Sequence, residues 1–541
     1  MAGRIMMFAL AAGLAAGVSS GAEKKFVAFG WEFRNLTADQ ILAHADRFKG
    51  LPIDGVGILV KAKNPKGGMF SQIALSDYPA WDWKAFESQV PVLKAIVSKP
   101  NLSESFLGGY RAPMRRAAWT DDKAWACIEN NLSIVARLAH LSGIKGISID
   151  HEDYRRQRQF YLNENDPPYD ECCRLARARG RQLFGAVFRE HPSAIILSFW
   201  VLSEYRPYFA TRDPAALMRE KGDLWPSFIA GIVDAMPPTA RLVEGDEHGY
   251  RHESSFNEFH VAYANAKRLG SKLLPEDVRG KYLARVEQGF GQYMDYYTGK
   301  LTPGKREKWS IGPEGGSRLE HFRRNIQAAS DVAEEYIWLW GQDHPWIEWD
   351  ESAHSNQAVD YSKTWERMLP GVSEMLATVK GGEKAEIARL DRLLAAGALT
   401  NLIANAKIRE WQVTKDAKGR PVKGEFNRKP GGVYECKGMA EGCFYAYCTG
   451  ARPGARYAID MEMRGRNAEA AVTWCDMEGA LYRLPTPQIL FGRPREGGWR
   501  RGVAFLTVPL DATHFKVNFG AARQKPGESV EYRNCAAYLF W

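Results

Sequence analysis

An apolar, strand-like run in the 541-residue sequence, GIKGISIDHEDY at residues 143–154, breaks into four consecutive polar or ionisable residues, Asp150, His151, Glu152 and Asp153. Along an extended strand side chains alternate, so Asp150 and Glu152 share one side while His151 and Asp153 take the other. Two carboxylates held this close raise the pKa of one of them, which keeps an acid protonated beside a carboxylate near neutral pH. Cleavage of a glycosidic bond uses that arrangement, because the leaving oxygen must receive a proton while a second carboxylate attacks or steers the opposite face. The plain structural alternative is a strand-end carboxylate bonded to loop amides or to the neighbouring Arg155 and Arg156.

A second acidic cluster follows another apolar run, in RLVEGDEHGYRHES, with Glu244, Asp246, Glu247, His248, Tyr250, His252 and Glu253. Glu244 and Asp246 share strand parity, and Glu247 lies in the turn. Two histidines among carboxylates are also ligands a divalent ion accepts, but Gly249 and the loop-like composition break the helical spacing of His248 and His252. The assignment is therefore no metal and no cofactor. Further acids are Glu287 and Asp295 in VEQGFGQYMDYY, where Asp295 falls at an expected strand end, and Glu32 in FGWEF. Neither GxSxG nor HExxH occurs, so no serine-nucleophile or zinc-protease motif is legible. Aromatic side chains with polar neighbours suit stacking on sugar rings: Trp31, Trp200, Trp338, Trp340, Trp346 and Trp349, beside Gln342, Asp343 and His344. Plain packing is the other reading for Trp338 and Trp340.

The elements that must position these residues follow from hydrophobic pattern. Hydrophobic residues make up 45% and charged residues 25%, a globular composition, and the length allows two to four domains. Short β-rich runs alternate with amphipathic stretches at 26–33, 55–60, 105–110, 146–150, 194–202, 241–244, 291–297 and 336–340. Eight such units predict a (β/α)8 TIM barrel over residues 23–361, with chemistry at the C-terminal ends of the strands. A doubly wound open sheet is the alternative, but no glycine-rich nucleotide turn follows the first strand. Residues 362–400 read as a helical closing segment and linker. From 401 to 541 many short alternating strands predict an all-β sandwich of jelly-roll type.

Residues 1–22 carry one arginine, a short apolar run and small residues ending at Ala22, the pattern of a signal peptide cleaved there. Export to a periplasmic, extracellular or cell-surface location follows, with no stable membrane span in the mature chain. The formal charge of +9 is spread along the chain, and nothing resembles a nucleic-acid module. Of eight cysteines, five fall after residue 430, which predicts one or two disulfides in an oxidising compartment.

Taken together, the barrel, the acidic end of its fourth strand, the aromatic eighth strand and the appended sandwich resemble secreted bacterial (β/α)8 glycoside hydrolases. The segments ARLAHLSGIKGISIDHEDY and YIWLWGQDHPW resemble a group of polysaccharide-degrading barrel proteins from gut and marine bacteria, and NLIANAKI with VEYRNCAAYLFW resemble the ends of carbohydrate-binding jelly-roll modules. Likeness to the large retaining clan implies Glu152 as proton donor and Asp295 as nucleophile. Likeness to the α-galactosidase group implies Asp150 as nucleophile with Asp246 or Glu247 as acid. The run Asp150-His151-Glu152 is also similar to the DxE ending of the chitinase motif, although the upstream GIKGIS departs from it. The expected function is glycoside hydrolysis of a poly- or oligosaccharide, with Glu152 as acid/base, Glu247 or Asp246 opposite, and Asp150 tuning. Trp31, Glu32, Trp200, Glu244, Tyr250, Trp338, Trp340, Gln342, Asp343 and Trp346 are the expected substrate contacts. A non-catalytic glycan-binding protein and a metal-dependent polysaccharide lyase or esterase are the alternatives.

Overall fold

A computed structural model describes residues 24–540 apart from 35, 64–68, 72–79, 112–115, 154–157, 206–212, 252–255, 300–311, 314–316, 355–356, 416–419, 421, 482–483, 485 and 510. The expected signal peptide, Arg155, Arg156, His252 and Glu253 lie outside the described residues. The chain divides into two compact units. One is built on residues up to Pro313 and on His321–Lys380, the other on Gly381–Trp541 with Glu314–Glu320.

In the first unit nine described strands form one parallel sheet: β1 (Lys25–Gly30), β2 (Gly55–Ile58), β3 (Phe106–Arg111), β4 (Gly146–Asp150), β5 (Ile195–Ser198), β6 (Arg241–Glu244), β7 (Val286–Gln288), β8 (Phe290–Tyr293) and β9 (Tyr336–Gly341). The spatial order is β8-β9-β1-β2-β3-β4-β5-β6-β7. Its two edges, β7 and β8, are separated in sequence by Gly289 alone, so the sheet curls into a nearly closed, TIM-barrel-like ring. Gly289 N donates to Glu244 O at 2.8 Å, which carries the β6–β7 pairing up to the seam.

Each expected run contains a strand, but four strands are shorter or displaced, β2 ending at Ile58. FGWEF leaves β1 at Gly30 and turns into a 3-10 segment, Trp31–Phe33. The 194–202 run keeps strand geometry only over Ile195–Ser198. The seventh expected run begins earlier, as β7 and β8, and Met294–Tyr297 is a 3-10 turn.

Aromatic rings fill the barrel interior where branched aliphatics usually dominate. Alternate residues of β9, Tyr336, Trp338 and Trp340, form three levels. Tyr336 meets Phe106 edge-on, Trp338 stacks on Phe199 at 4.1 Å and meets Phe29 edge-on, and Trp340 meets Phe199 nearer the C-terminal rim. Trp338 needs glycine neighbours, since a Cβ at Gly291 would stand 2.6 Å from its ring and one at Gly245 would stand 2.8 Å from its Nε1.

Three helices brace the rim that carries β4 and β5. Helix α1 (Asp122–Ser142) starts where the Asp121 side chain accepts Ala124 N and ends on left-handed Gly143 (φ 78°), burying Ile128, Leu132, Val135 and Leu138. Helices α2 (Tyr169–Glu190) and α3 (Trp225–Ala235) approach so closely that a Cβ at Gly231 would lie 2.0 Å from Arg177 O. That contact fixes α3, whose first residue is Trp225.

The second unit holds helix α4 (Gly382–Ala395) and two five-stranded antiparallel sheets that form a sandwich. One has the order β10 (Arg409–Gln412), β13 (Glu441–Cys448), β18 (His514–Ala522), β15 (Ala468–Asp476), β16 (Gly479–Ala480). The other has the order β11 (Glu425–Lys429), β12 (Val433–Lys437), β19 (Ser529–Leu539), β14 (Arg456–Gly465), β17 (Arg500–Thr507). Phe444, Val472, Trp474, Phe515, Phe519 and Tyr532 pack between them. Leu390 of α4 packs on Ala458 and Phe540, and Glu386 pairs with Arg456. The expected disulfides are not formed, and all eight cysteines are free thiols. Alternation along β13 is the reason for part of this, because Cys448 turns into the core while Cys443 shares the outward face with Tyr445.

Candidate functional site

The C-terminal rim gathers the acids that follow β4, β5 and β6. Asp150 closes β4, and its Oδ1 accepts a 3.3 Å hydrogen bond from Glu152 N, which fixes the backbone that carries Glu152. Because the strand ends at Asp150, strict alternation ends with it. His151, Glu152 and Asp153 then line one cavity of about 190 Å³, contrary to the expectation that His151 and Asp153 face away from Glu152. Trp200, Glu204 and Asp223 complete much of its wall.

Behind this cavity the His151 ring lies flat on Trp225, with centroids 3.8 Å apart and planes 9° apart. Asp223 Oδ1 accepts from Tyr205 Oη at 2.8 Å and from Trp225 N at 3.1 Å, so this carboxylate sets the entry of α3. Burial raises the Asp223 carboxyl to about 6, against the hydrogen bond from Tyr205. His151 Nε2 stands 3.9 Å from Glu204 Oε2. Trp200 meets His151 edge-on and lies nearly parallel to His248 beyond it, linking the ends of β4, β5 and β6.

The Tyr250 hydroxyl is held well above its usual range by burial, then by the charge of Glu247, by the Tyr293 and Tyr296 phenols and, least, by Glu152. Tyr250 sits over Trp338 at 5.3 Å and beside Tyr293 and Tyr296, forming an aromatic floor. Glu152 and Glu247 are half-buried, whereas Asp246 is only 1% exposed. Asp246 also leaves strand geometry, with φ at 35°, and its carbonyl accepts from Gly249 N and Gly291 N.

Other expected site residues serve as loop anchors. Fully buried Glu244 accepts from Val201 N, Leu202 N, Ser203 N and Ser203 Oγ at 2.6–2.9 Å. Burial, reinforced by Asp246, raises its carboxyl to about 7. Glu32 accepts from Trp346 N and from Trp349 Nε1 (2.6 Å), and burial raises it to about 8. Asp295 receives Gln342 N at 2.8 Å and Asp343 N at 2.9 Å, fixing the turn after β9. Trp338 is completely buried and donates to Gly245 O at 2.7 Å, and Trp346 is nearly so, while Trp31 and Trp340 keep partial exposure. Glu287 lies toward the opposite rim, paired with Arg241.

Sequence reading did not single out Glu204, Asp223 or Trp225. The local signals were an acid after the aromatic run of LSFWVLSEY and an aspartate two residues before the Trp-Pro start of a helix. Their convergence on His151 comes from the fold. Among the described residues no group of three or more His, Cys, Asp or Glu side chains stands close enough to hold a metal ion, and no helix is long and apolar enough to cross a membrane.

No protein-family model and no curated protein matches this chain. Among solved structures it is similar to a glucosidase from Croceicoccus marinus (9% identity, 91% of each chain, TM-score 0.35). It is also similar to a D-psicose 3-epimerase solved in the presence of D-fructose (10% identity, 66% of this chain and 99% of that one, TM-score 0.34). A third likeness is to the enzymatically active domain of bacteriophage CBA120 tailspike protein 4 (12% identity, 25% of this chain, TM-score 0.19). This chain spans 19% of that tailspike structure's length.

Proposed function

We propose that the chain is an exported glycoside hydrolase acting on a poly- or oligosaccharide, with Glu152 and Glu247 as its working carboxylates. The observation that carries this reading is the placement of the two acids, Glu152 just after β4 on the cavity wall and Glu247 just after β6, at the rim where barrel enzymes place their chemistry. In this mechanism Glu152, open to the cavity and fixed through Asp150, delivers a proton to the glycosidic oxygen. Glu247 faces the anomeric carbon, as nucleophile or as the base that activates water, and the Tyr250 hydroxyl donates a hydrogen bond to that carboxylate or to a sugar oxygen. Asp246 is the less suitable partner because it is buried.

The sandwich adds a glycan-binding surface in the same reading. Directly paired residues across the first sheet share its outward face: Arg409 with Tyr445, Tyr445 with Asn518, and Tyr447 with Lys516. Trp411, half-exposed on the edge strand, extends that face. Flat rings beside amide and cationic donors match the alternating apolar and hydroxylated faces of a sugar chain.

The test is product release from a panel of aryl glycosides and polysaccharides by the mature chain, beside Glu152→Gln and Glu247→Gln. Cleavage of one member, lost in both variants, supports the reading, and the anomer first released assigns Glu247 as nucleophile or base. Binding of a polymer without cleavage replaces it with a glycan-binding protein, and loss of activity to a chelator replaces it with a metal-dependent lyase or esterase.

A further inference from the structure

The cavity beside Glu152 reverses the charge of the molecule. The whole chain carries +9, yet Glu152, Asp153, Glu204 and Asp223 line this one space. Arg158 answers them from the rim, exposed, with its guanidinium 5.2 Å over the Tyr161 ring. Asp223 is engaged by Tyr205 and Trp225, and Asp153 Oδ2 accepts Gln159 N at 2.9 Å. Glu204 is the quarter-exposed carboxylate of the group, with His151 alongside at 3.9 Å.

A second observation points to a ligand with hydrogen-bonding groups. His151 lines the cavity and is 8% exposed, and its Nδ1 has no hydrogen-bond partner among the described residues. The carboxylates do not converge as metal ligands do. Carboxylates and aromatic rings lining the same space, the Trp200 ring among them, suit an organic cation on a ring better than a bare ion. The volume of about 190 Å³ is below the range of roughly 300–1,000 Å³ typical of drug-sized ligands, which limits the occupant to a single sugar-sized unit.

We propose that this cavity is a specificity subsite for a sugar residue bearing an unsubstituted amino group, its ammonium held by Glu204 in the field of Asp153 and Asp223. The placement as a subsite rests on the glycoside hydrolase reading, because Glu152 belongs to both. The binding chemistry itself does not depend on catalysis.

Glucosamine, N-acetylglucosamine and glucose are titrated into the full chain by calorimetry near pH 6.5, where the primary amine of glucosamine is largely protonated, as an α-amino group of pKa about 7.7–8.0 would be. Glucosamine binds at least about tenfold tighter than the other two, and Glu204→Gln removes most of that preference while Glu204→Asp keeps part of it. Asp223→Asn weakens the preference less, and raised salt shrinks it in the wild type. Equal binding of the three sugars, no binding of any, or a preference untouched by Glu204→Gln overturns the proposal. If Glu204→Gln does not fold, the salt dependence and Glu204→Asp decide. An amine preference without hydrolysis of any glycoside leaves this site standing while the hydrolase reading falls. Hydrolysis with no amine preference gives the reverse outcome.

Discussion

At the N-terminal rim of the barrel, Arg241 lies between Glu287 at 2.9 Å and Glu335 at 2.5 Å, Lys145 approaches Glu104, and Lys380 reaches Asp54. At the C-terminal rim Glu244, Glu32 and Asp295 are held instead by backbone and indole N–H groups. The first arrangement cancels charge within the protein. The second fixes geometry with neutral donors and leaves the rim's negative charge and proton capacity intact. A carboxylate satisfied by amides shapes a loop without spending a cation.

The sharpest way to break this comparison is to neutralise the acids that face the mouth. Glu152→Gln or Glu247→Gln lowers turnover by about 10²–10⁴-fold with the unfolding midpoint nearly unchanged. A fall in thermal stability matching the lost activity would return both residues to a structural role.

Next in size is Glu244→Ala, which strips the acceptor from three buried N–H groups and the Ser203 hydroxyl. It costs about 3 kcal/mol or more in urea unfolding. A cost below about 1 kcal/mol would mean that the loop after β5 holds itself.

Arg241→Met probes the opposite rim. The arginine side chain is 33% exposed, so solvent screening holds the loss to about 1–2 kcal/mol, and turnover on any substrate found is preserved. Equal damage to turnover would erase the distinction between the rims.

A fourth test reads a slope with pH. Glu32 keeps its proton up to about pH 8 in the folded chain, against an ordinary value of 4.5. Between those values the folded state binds a proton that the unfolded chain has released, so its contribution is complete below about 4.5 and is lost as pH rises through 8. Glu32→Gln flattens that decline, which unfolding midpoints at pH 5 and pH 8 measure. An unchanged slope would place the titrating group elsewhere.

The strands were legible where pattern and burial agree, as in GISID and IILS, whose isoleucines and leucine are buried. The seam was harder to read because β7 and β8 carry Gln288 and Gln292, both completely buried. Their amides donate to Gly289 O and Gly291 O, so polar residues sit in a core position without an ionic or strand-partner signature. Trp338 misled for a related reason. Its ring reads as a sugar platform until the glycines at 245 and 291, distant in sequence, make room for it inside the barrel. Glu152 and Glu247 could be placed from strand ends alone, whereas Glu204 and Asp223 meet His151 only after two loops fold back over β4 and β5.

The pairing of β1 with β9 also sets a clock on the molecule's birth. Lys24 Nζ bonds Ala333 O across 309 residues of chain, and Phe26 pairs with Ile337. At a synthesis rate of roughly 5–20 residues per second, the first strand waits roughly 15–60 s for its neighbour. Through that interval its hydrophobic edge has no native partner on that side, the condition in which strands add to the wrong chain. A sheet that pairs its two most distant segments therefore makes the nascent chain depend on whatever shields that edge until β9 emerges.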